Sequence, residues 1–507
     1  MKNLEFRTRE LFTDTEFLAK IDSQVQRRLH HPERKEVVLS PGFPHGTNLT
    51  GQGTIIPLPD GRWRMYFRGG CTWKTMFCQE EKGEPACFAA ESTDGKKWEI
   101  VTPQSILHKK TFFPPVTLKP LNATFFYDSN PDAPADEKFK MLCYGYVGEI
   151  AGERDGLFLA VSPDGFNFKL KYDKPFDIET QIDTQNVLFW DPRLKKYHLY
   201  TRIRRFGKRG IRMHLTEDFK TFTNASDISF RNDMFPDTQL YTNCIQPYFR
   251  AEKYYLGFPC RYCDHDQKWD NSVLYMPGAE RKAYWINDRK YTRLGTVATD
   301  SLFMSSRNGW IFDRYDESFL RPGPCTEGNW LYGDNYLFYG MIPTCSDLGC
   351  GAPDEISMYA IENYMGDKGE NVRFRRLSIR QDGFVSLNFP AQGGEIITKA
   401  FEFEGESLSL NLATSAWGTL LVAILDEDGN PIDGFREKDM FPIYGDGLDI
   451  RPMWRGKGSD LRELKGKKIA LRFRGKDADL YSYAQTTFRP DPQLPPITPE
   501  AMREADI

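Results

Sequence analysis

Three arginines at matching distances into repeated strands are the first sign of chemistry in this 507-residue chain. Arg68 and Arg202 each stand five residues after the aromatic that opens a strand, Trp63 and Tyr197, and Arg261 lies close to that position in a later copy. Guanidiniums brought together repel one another unless an anion sits between them, and their fork suits a carboxylate, sulfate or phosphate. The alternative is that each pairs with a structural carboxylate such as Glu91 or Asp183. Sugar chemistry at such a place needs two carboxyl groups, one to protonate the leaving oxygen and one acting as base or nucleophile. Asp183 is the first choice because it starts an innermost strand, and Asp334, Glu362 and Glu149 (with Glu153 in the same loop) compete for the second role. Tyr241 is a further candidate, since a tyrosine can replace a carboxylate as nucleophile when the sugar is anionic. Asn48, Gln185, Asn243 and Gln246 also precede innermost strands and suit substrate binding, while Trp73 lies in a loop from which it could stack on a sugar face.

The elements that must carry these residues come from a degenerate repeat. A Ser/Thr-x-Asp-Gly-x-x-aromatic turn recurs at 92–98, 162–168, 216–222 and 306–312, with Phe219 in place of the glycine in the third copy and Asn308 for the aspartate in the fourth. Asx-Gly is strong hairpin chemistry, because glycine accepts positive φ and the Asx side chain caps its own backbone. Matching strands at 63–68, 139–144, 197–202 and 254–259 precede the turns, and apolar strands such as Phe189-Trp190-Asp191 precede those. Each unit is thus four short strands, one propeller blade. A fifth unit fits from Asn335 to Leu377 without the turn signature. Asp128 and Asp191 fall in turns at the far end of their strands and read as structural.

The expected fold class is all-β, a five-bladed propeller over 41–383 followed by a β-sandwich over 384–488, where Leu408, Leu410 and Leu412 alternate with Ser409 and Asn411. Residues 1–40 read as a lead-in packed on the propeller and 489–507 as an extended tail.

Composition agrees: 37 Phe, 24 Tyr, 41 Gly and 32 Pro suit many short strands joined by turns rather than a helical bundle. A net charge of −4 without a long basic run argues against nucleic acid or anionic membrane as partners, and no stretch reaches the roughly 20 apolar residues of a membrane span. The polar N-terminus lacks the apolar core of a signal peptide, which implies a cytoplasmic protein, or a periplasmic or secreted one if a signal has been removed. Cys260-x-x-Cys263-Asp264-His265 with Cys345 and Cys350 lacks the paired spacing of a zinc site, so no metal and no cofactor is expected. The chain is expected to be a monomer or small homo-oligomer.

With repeat and trailing domain in place, the organisation resembles the five-bladed propeller glycoside hydrolases, which include fructofuranosidases, arabinofuranosidases and xylosidases. The strings Asp183-Thr184-Gln185-Asn186-Val187-Leu188-Phe189-Trp190-Asp191-Pro192, Leu240-Tyr241-Thr242-Asn243 and Gly257-Phe258-Pro259 are similar to a bacterial glycosyl-hydrolase-like set, over most of 30–485. The resemblance implies a glycosidase acting on a plant, algal or other glycan, with the arginines gripping a uronic or sulfated sugar. That family's blade-one aspartate has no acidic counterpart at 48–52. Two other functions fit the same residues: a glycoside phosphorylase, whose phosphate would also need the arginines, and a non-catalytic glycan-binding protein.

Overall fold

Each Asx turn takes the shape its side chains dictate. Asp94 Oδ1 accepts the backbone N–H groups of Lys96 and Lys97, both at 2.8 Å, while Ser92 Oγ accepts that of Gly95 at 2.8 Å. Asp164, Asp218 and Asn308 repeat the arrangement. In the third copy these backbone donors hold the Asp218 carboxyl below the usual carboxylate range.

The turn glycines also fasten neighbouring blades. Tyr66 donates its hydroxyl to the carbonyl of Gly165 at 2.9 Å, Tyr200 to Gly309 at 3.0 Å, and Tyr359 to Gly95. Each tyrosine lies four or five residues into its blade's second strand, and each glycine belongs to the turn of the next blade around the ring. Where the turn has Phe219 instead of glycine, the preceding blade has Leu142 in place of tyrosine, and the two share one apolar cluster. Where the fifth blade has no such turn, the fourth offers Gly257. The repeat is thus a pairwise latch, kept or lost as a unit.

A Cβ on Gly165, at φ +75°, would lie 2.4 Å from the pinned Tyr66 hydroxyl, whereas one on Gly61, at φ +87°, would meet nothing within 4 Å. Gly61→Ala is expected to cost about 1 kcal/mol from backbone strain alone. Gly165→Ala is expected to cost about 2–4 kcal/mol because overpacking adds to that strain. Chemical denaturation of both variants checks this, and equal losses would contradict the latch.

The computed structural model describes residues 2–42, 45, 51–71, 83–102, 106, 111–113, 116–148, 155–181, 184–231, 238–264, 283, 287, 293–326, 329–330, 332–364 and 372–491. They divide into two compact units, Leu29–Phe384 and Met1–Arg28 with Val385–Ile507.

The first unit is a five-bladed β-propeller. Blade one runs Gly51–Pro57, Trp63–Cys71, Gly83–Ser92, Glu99–Ile100, and blade three Val187–Asp191, Lys196–Arg205, Lys208–Thr216, Thr223–Asp227, each in simple up-and-down order. Blade two adds Thr111–Phe113 beside its inner strand Val116–Tyr127. In blade four the second strand is split into Tyr255–Gly257 and Cys260–Asp264, both paired to Val297–Ser306, with Pro259, which has no N–H to give, at the break. Blade five takes its outer strand from the other end of the domain: Glu33–Leu39 pairs with Arg373–Arg380. This closes the ring, so 33–39 is part of the propeller itself.

Residues 1–28 belong to the second unit, with Val385–Ile507. Glu10–Leu11 pairs with the long strand Lys468–Thr486, and Leu18–Ile21 with Gly394–Thr398. In this second unit Ser407–Leu425 and Lys468–Thr486, 19 residues each, run antiparallel at the heart of one nine-stranded network. The alternation at Leu408, Leu410 and Leu412 points into a core with Phe12, Leu387, Phe389, Trp454 and Phe473, all fully buried. Most of the expected tail, 492–507, lies outside the described residues. Among the described residues no helix is long and apolar enough to cross a membrane.

Candidate functional site

Antiparallel pairing puts the start of each inner strand and the end of each second strand at the same end of a blade, as with Gly51 opposite Arg68. At that end the structure gathers tyrosines and arginines. Tyr241, nearly buried, lies parallel to Tyr262 and Tyr336 (centroids 5.8 and 5.7 Å apart) and edge-on to Tyr332, whose hydroxyl donates to the Tyr241 hydroxyl at 3.0 Å. The Arg202 and Arg209 guanidiniums lie 5.4 and 5.5 Å from the Tyr241 ring centroid, and Arg209 only 4.0 Å from that of Tyr262. Arg68 donates to the Tyr364 hydroxyl at 2.7 Å, and the Tyr364 backbone N–H donates to Asp334 Oδ1 at 2.8 Å. Tyr336 stands beside both Tyr241 and Tyr364, and burial first, then its tyrosine neighbours, pushes its hydroxyl well above the ordinary phenol range.

The sequence candidates therefore divide. Arg68, Arg202, Tyr241 and Asp334 are brought into this one cluster. Arg261 is not available to an anion: its Nε and Nη2 grip the two oxygens of Asp300 at 2.9 and 2.5 Å, and its Nη1 donates to the carbonyl of Asp316. Glu362 shares with Asp334 the lining of a cleft of about 260 Å3. Both its oxygens accept from Arg375 (2.8 and 2.9 Å), and Arg34 adds a third bond at 3.0 Å. Glu362 is thus the hub of an ion-pair cluster with Arg34, Arg373 and Arg375.

Gln185 is likewise structural. Its amide donates to Gly53 O at 3.1 Å, so it ties blade three to blade one. Asn243 caps its own turn, accepting the Ile245 N–H at 3.1 Å, and Gln246 is buried where its strand pairs with Leu256. Glu91 pairs with Arg62 and Arg64, not Arg68. Asp191 accepts from Tyr255 and Arg193, in keeping with a structural turn. Cys260 is fully buried in its strand, and burial pushes its thiol well above the ordinary range. Asn48, Trp73, Glu149 and Asp183 lie outside the described residues, as do Glu153 and His265.

Sequence reasoning missed Tyr262, Tyr332, Tyr336, Tyr364 and Arg209. The rule that nominated Arg68 and Asp334 also covers most of them: Tyr364 follows the end of a second strand by two residues, and Tyr332 precedes Asp334 by two.

No protein-family model matches the chain, and no curated protein matches it. Among solved structures, an N-acetylgalactosamine deacetylase from F. plautii in complex with blood group B trisaccharide is similar at 9% identity, over 70% of this chain and 95% of that one, with a TM-score of 0.42. An exo-beta-1,3-galactanase from Phanerochaete chrysosporium with galactose aligns at 10% identity over 89% and 99%, TM-score 0.37. An exo-inulinase from Aspergillus awamori aligns at 11% over 90% and 99%, TM-score 0.39. At such scores likeness says nothing of activity.

Proposed function

We propose that the protein hydrolyses a glycosidic bond in an acidic glycan at the tyrosine-lined end of its propeller. One observation carries this reading: Tyr241 stands beside two guanidiniums, and its hydroxyl accepts a hydrogen bond from Tyr332. Two nearby cations stabilise negative charge developing on a phenol oxygen, and a phenol serves as nucleophile where a carboxylate would be repelled by an anionic sugar. Arg202 and Arg68 would hold the sugar's carboxylate or sulfate. Tyr241, as the phenolate left when its proton passes to solvent, would attack the anomeric carbon as the glycosidic C–O bond breaks. The leaving oxygen would take its proton from a carboxylic acid, and water would then release the sugar from Tyr241. Asp183 is assigned the acid role. The next residue in sequence, Thr184, donates its hydroxyl to the Tyr241 carbonyl at 2.7 Å. Asp334, locked by the Tyr364 N–H, acts as a positioning residue for Tyr364 and through it for Arg68.

The glycan-binding alternative is favoured by a different observation, the loss of Glu362 to its arginines, which leaves fewer acids for catalysis. Incubation with plant and algal glycans, acidic and neutral, with and without phosphate, separates the readings. Product release from an acidic glycan is expected, independent of phosphate and weakened about tenfold or more by Arg202→Ala, the cost of a lost charge-assisted contact. Binding without release would favour the glycan-binding reading, and release only with phosphate the phosphorylase.

A further inference from the structure

We infer that the cleft between blades three and four is a second sugar subsite, which takes another acidic unit of the same glycan chain. The inference rests on the acidic-glycan reading of the neighbouring tyrosine cluster and extends it to an oligomeric substrate.

The cleft encloses about 350 Å3. That is within the range of about 300–1,000 Å3 typical of small-molecule sites. Arg205, Lys208, Arg209 and Arg314 line it, against the single carboxylate of Asp227. Arg205 shares Asp227 at 2.9 Å, and Arg314 is paired with Asp316 at 2.8 Å. Arg209 differs: among the described residues its hydrogen-bonding partner is the neutral amide of Gln239 at 2.6 Å, and otherwise it lies over the rings of Tyr262 and Tyr241. Among the described residues no acid pairs with it, and it borders the cleft and the tyrosine cluster together. Its carbonyl also accepts the N–H of Leu240, the residue before Tyr241, at 3.1 Å. The cleft thus begins where the first site ends.

Phe206 supplies the second, independent observation. It sits at the tip of the hairpin between Lys196–Arg205 and Lys208–Thr216, at φ +50°, with its ring fully exposed at the rim of the cleft. Positive φ costs a phenylalanine about 1–2 kcal/mol. Water exposure of a whole ring brings no gain, so nothing in the fold itself rewards this residue. A flat apolar face beside basic groups matches what an acidic sugar presents: a C–H face to stack on and an anion to pair.

The test uses the full chain with calorimetry. Its probes are oligogalacturonates and chondroitin sulfate fragments, each as disaccharide and hexasaccharide, with neutral cellohexaose as control. In at least one acidic series the hexasaccharide is expected to bind at least tenfold tighter than its disaccharide. Phe206→Ala and Lys208→Glu should each shrink that ratio severalfold, and the double variant should bring it near one. Both positions are in an exposed hairpin, and unchanged melting temperatures keep the comparison clean. A wild-type ratio near one, or a ratio the variants leave untouched, would overturn the second subsite while the first stands. No binding of either acidic series would overturn both.

Discussion

Asp128→Asn is expected to destabilise the propeller by about 3–5 kcal/mol, the usual cost of leaving one partner of a buried ion pair behind. The Asp128 carboxylate meets Lys140 Nζ at 2.5 Å, and both side chains are almost wholly buried. Asp128 also accepts the Tyr197 hydroxyl at 2.7 Å and the Asn130 N–H at 2.9 Å, so three donors converge on it. Asparagine keeps the shape but leaves the ammonium uncompensated. Burial already lowers the Lys140 pKa in spite of its carboxylate partner, so in the variant the amine should shed its proton more readily still. The sign follows: the folded pKa lies below the unfolded one near 10.4, the unfolded chain binds more protons, and the variant's stability rises with pH until that value. Lys140→Met should cost less, since Tyr197 and Asn130 still satisfy the carboxylate, and the double variant should recover part of the loss. Urea denaturation across pH measures all three. A loss below about 1 kcal/mol for Asp128→Asn, independent of pH, would show the pair to be solvated.

Tyr241→Phe is expected to lower kcat on an acidic glycan by about 10³-fold or more with little change in KM, the pattern of a lost nucleophile. Phenylalanine preserves the parallel packing on Tyr262 and Tyr336 and the contacts with Arg202 and Arg209, so only the hydroxyl is removed. A rise in KM at unchanged kcat would instead make Tyr241 a sugar-binding surface. Tyr332→Phe, which removes the donor to that hydroxyl, should have an intermediate effect on kcat.

The propeller was legible because its turns are local. Ser92, Asp94 and Gly95 make their hydrogen bonds within the turn itself, so the pattern is visible in seven residues. Ring closure was not, because Glu33–Leu39 pairs with a strand more than 330 residues away and its half-buried pattern names no partner. The same limit explains the arginines. Arg68, Arg202 and Arg261 look alike in the repeat, but register sets Arg261 directly opposite Asp300, and sets Glu362 opposite Arg373 with Arg375 two residues on. Cross-strand neighbours decide which charges are spent in the fold, and register is not written in either strand alone. Gln185 precedes an inner strand, and its amide reaches across to blade one, a partner no local pattern names.

The central claim is that guanidiniums beside Tyr241 select a negatively charged sugar, and paired substrates test it most directly. Turnover of one glycan would be compared in its free uronic acid form and as its methyl ester, or sulfated against desulfated, at low salt where such contacts are least screened. The account predicts that the charged member of a pair is cleaved at least about tenfold faster, an advantage that Arg202→Ala removes, since one charge-assisted contact is worth about 1.5–3 kcal/mol. Equal cleavage of charged and neutral members, or an advantage indifferent to Arg202, would contradict it.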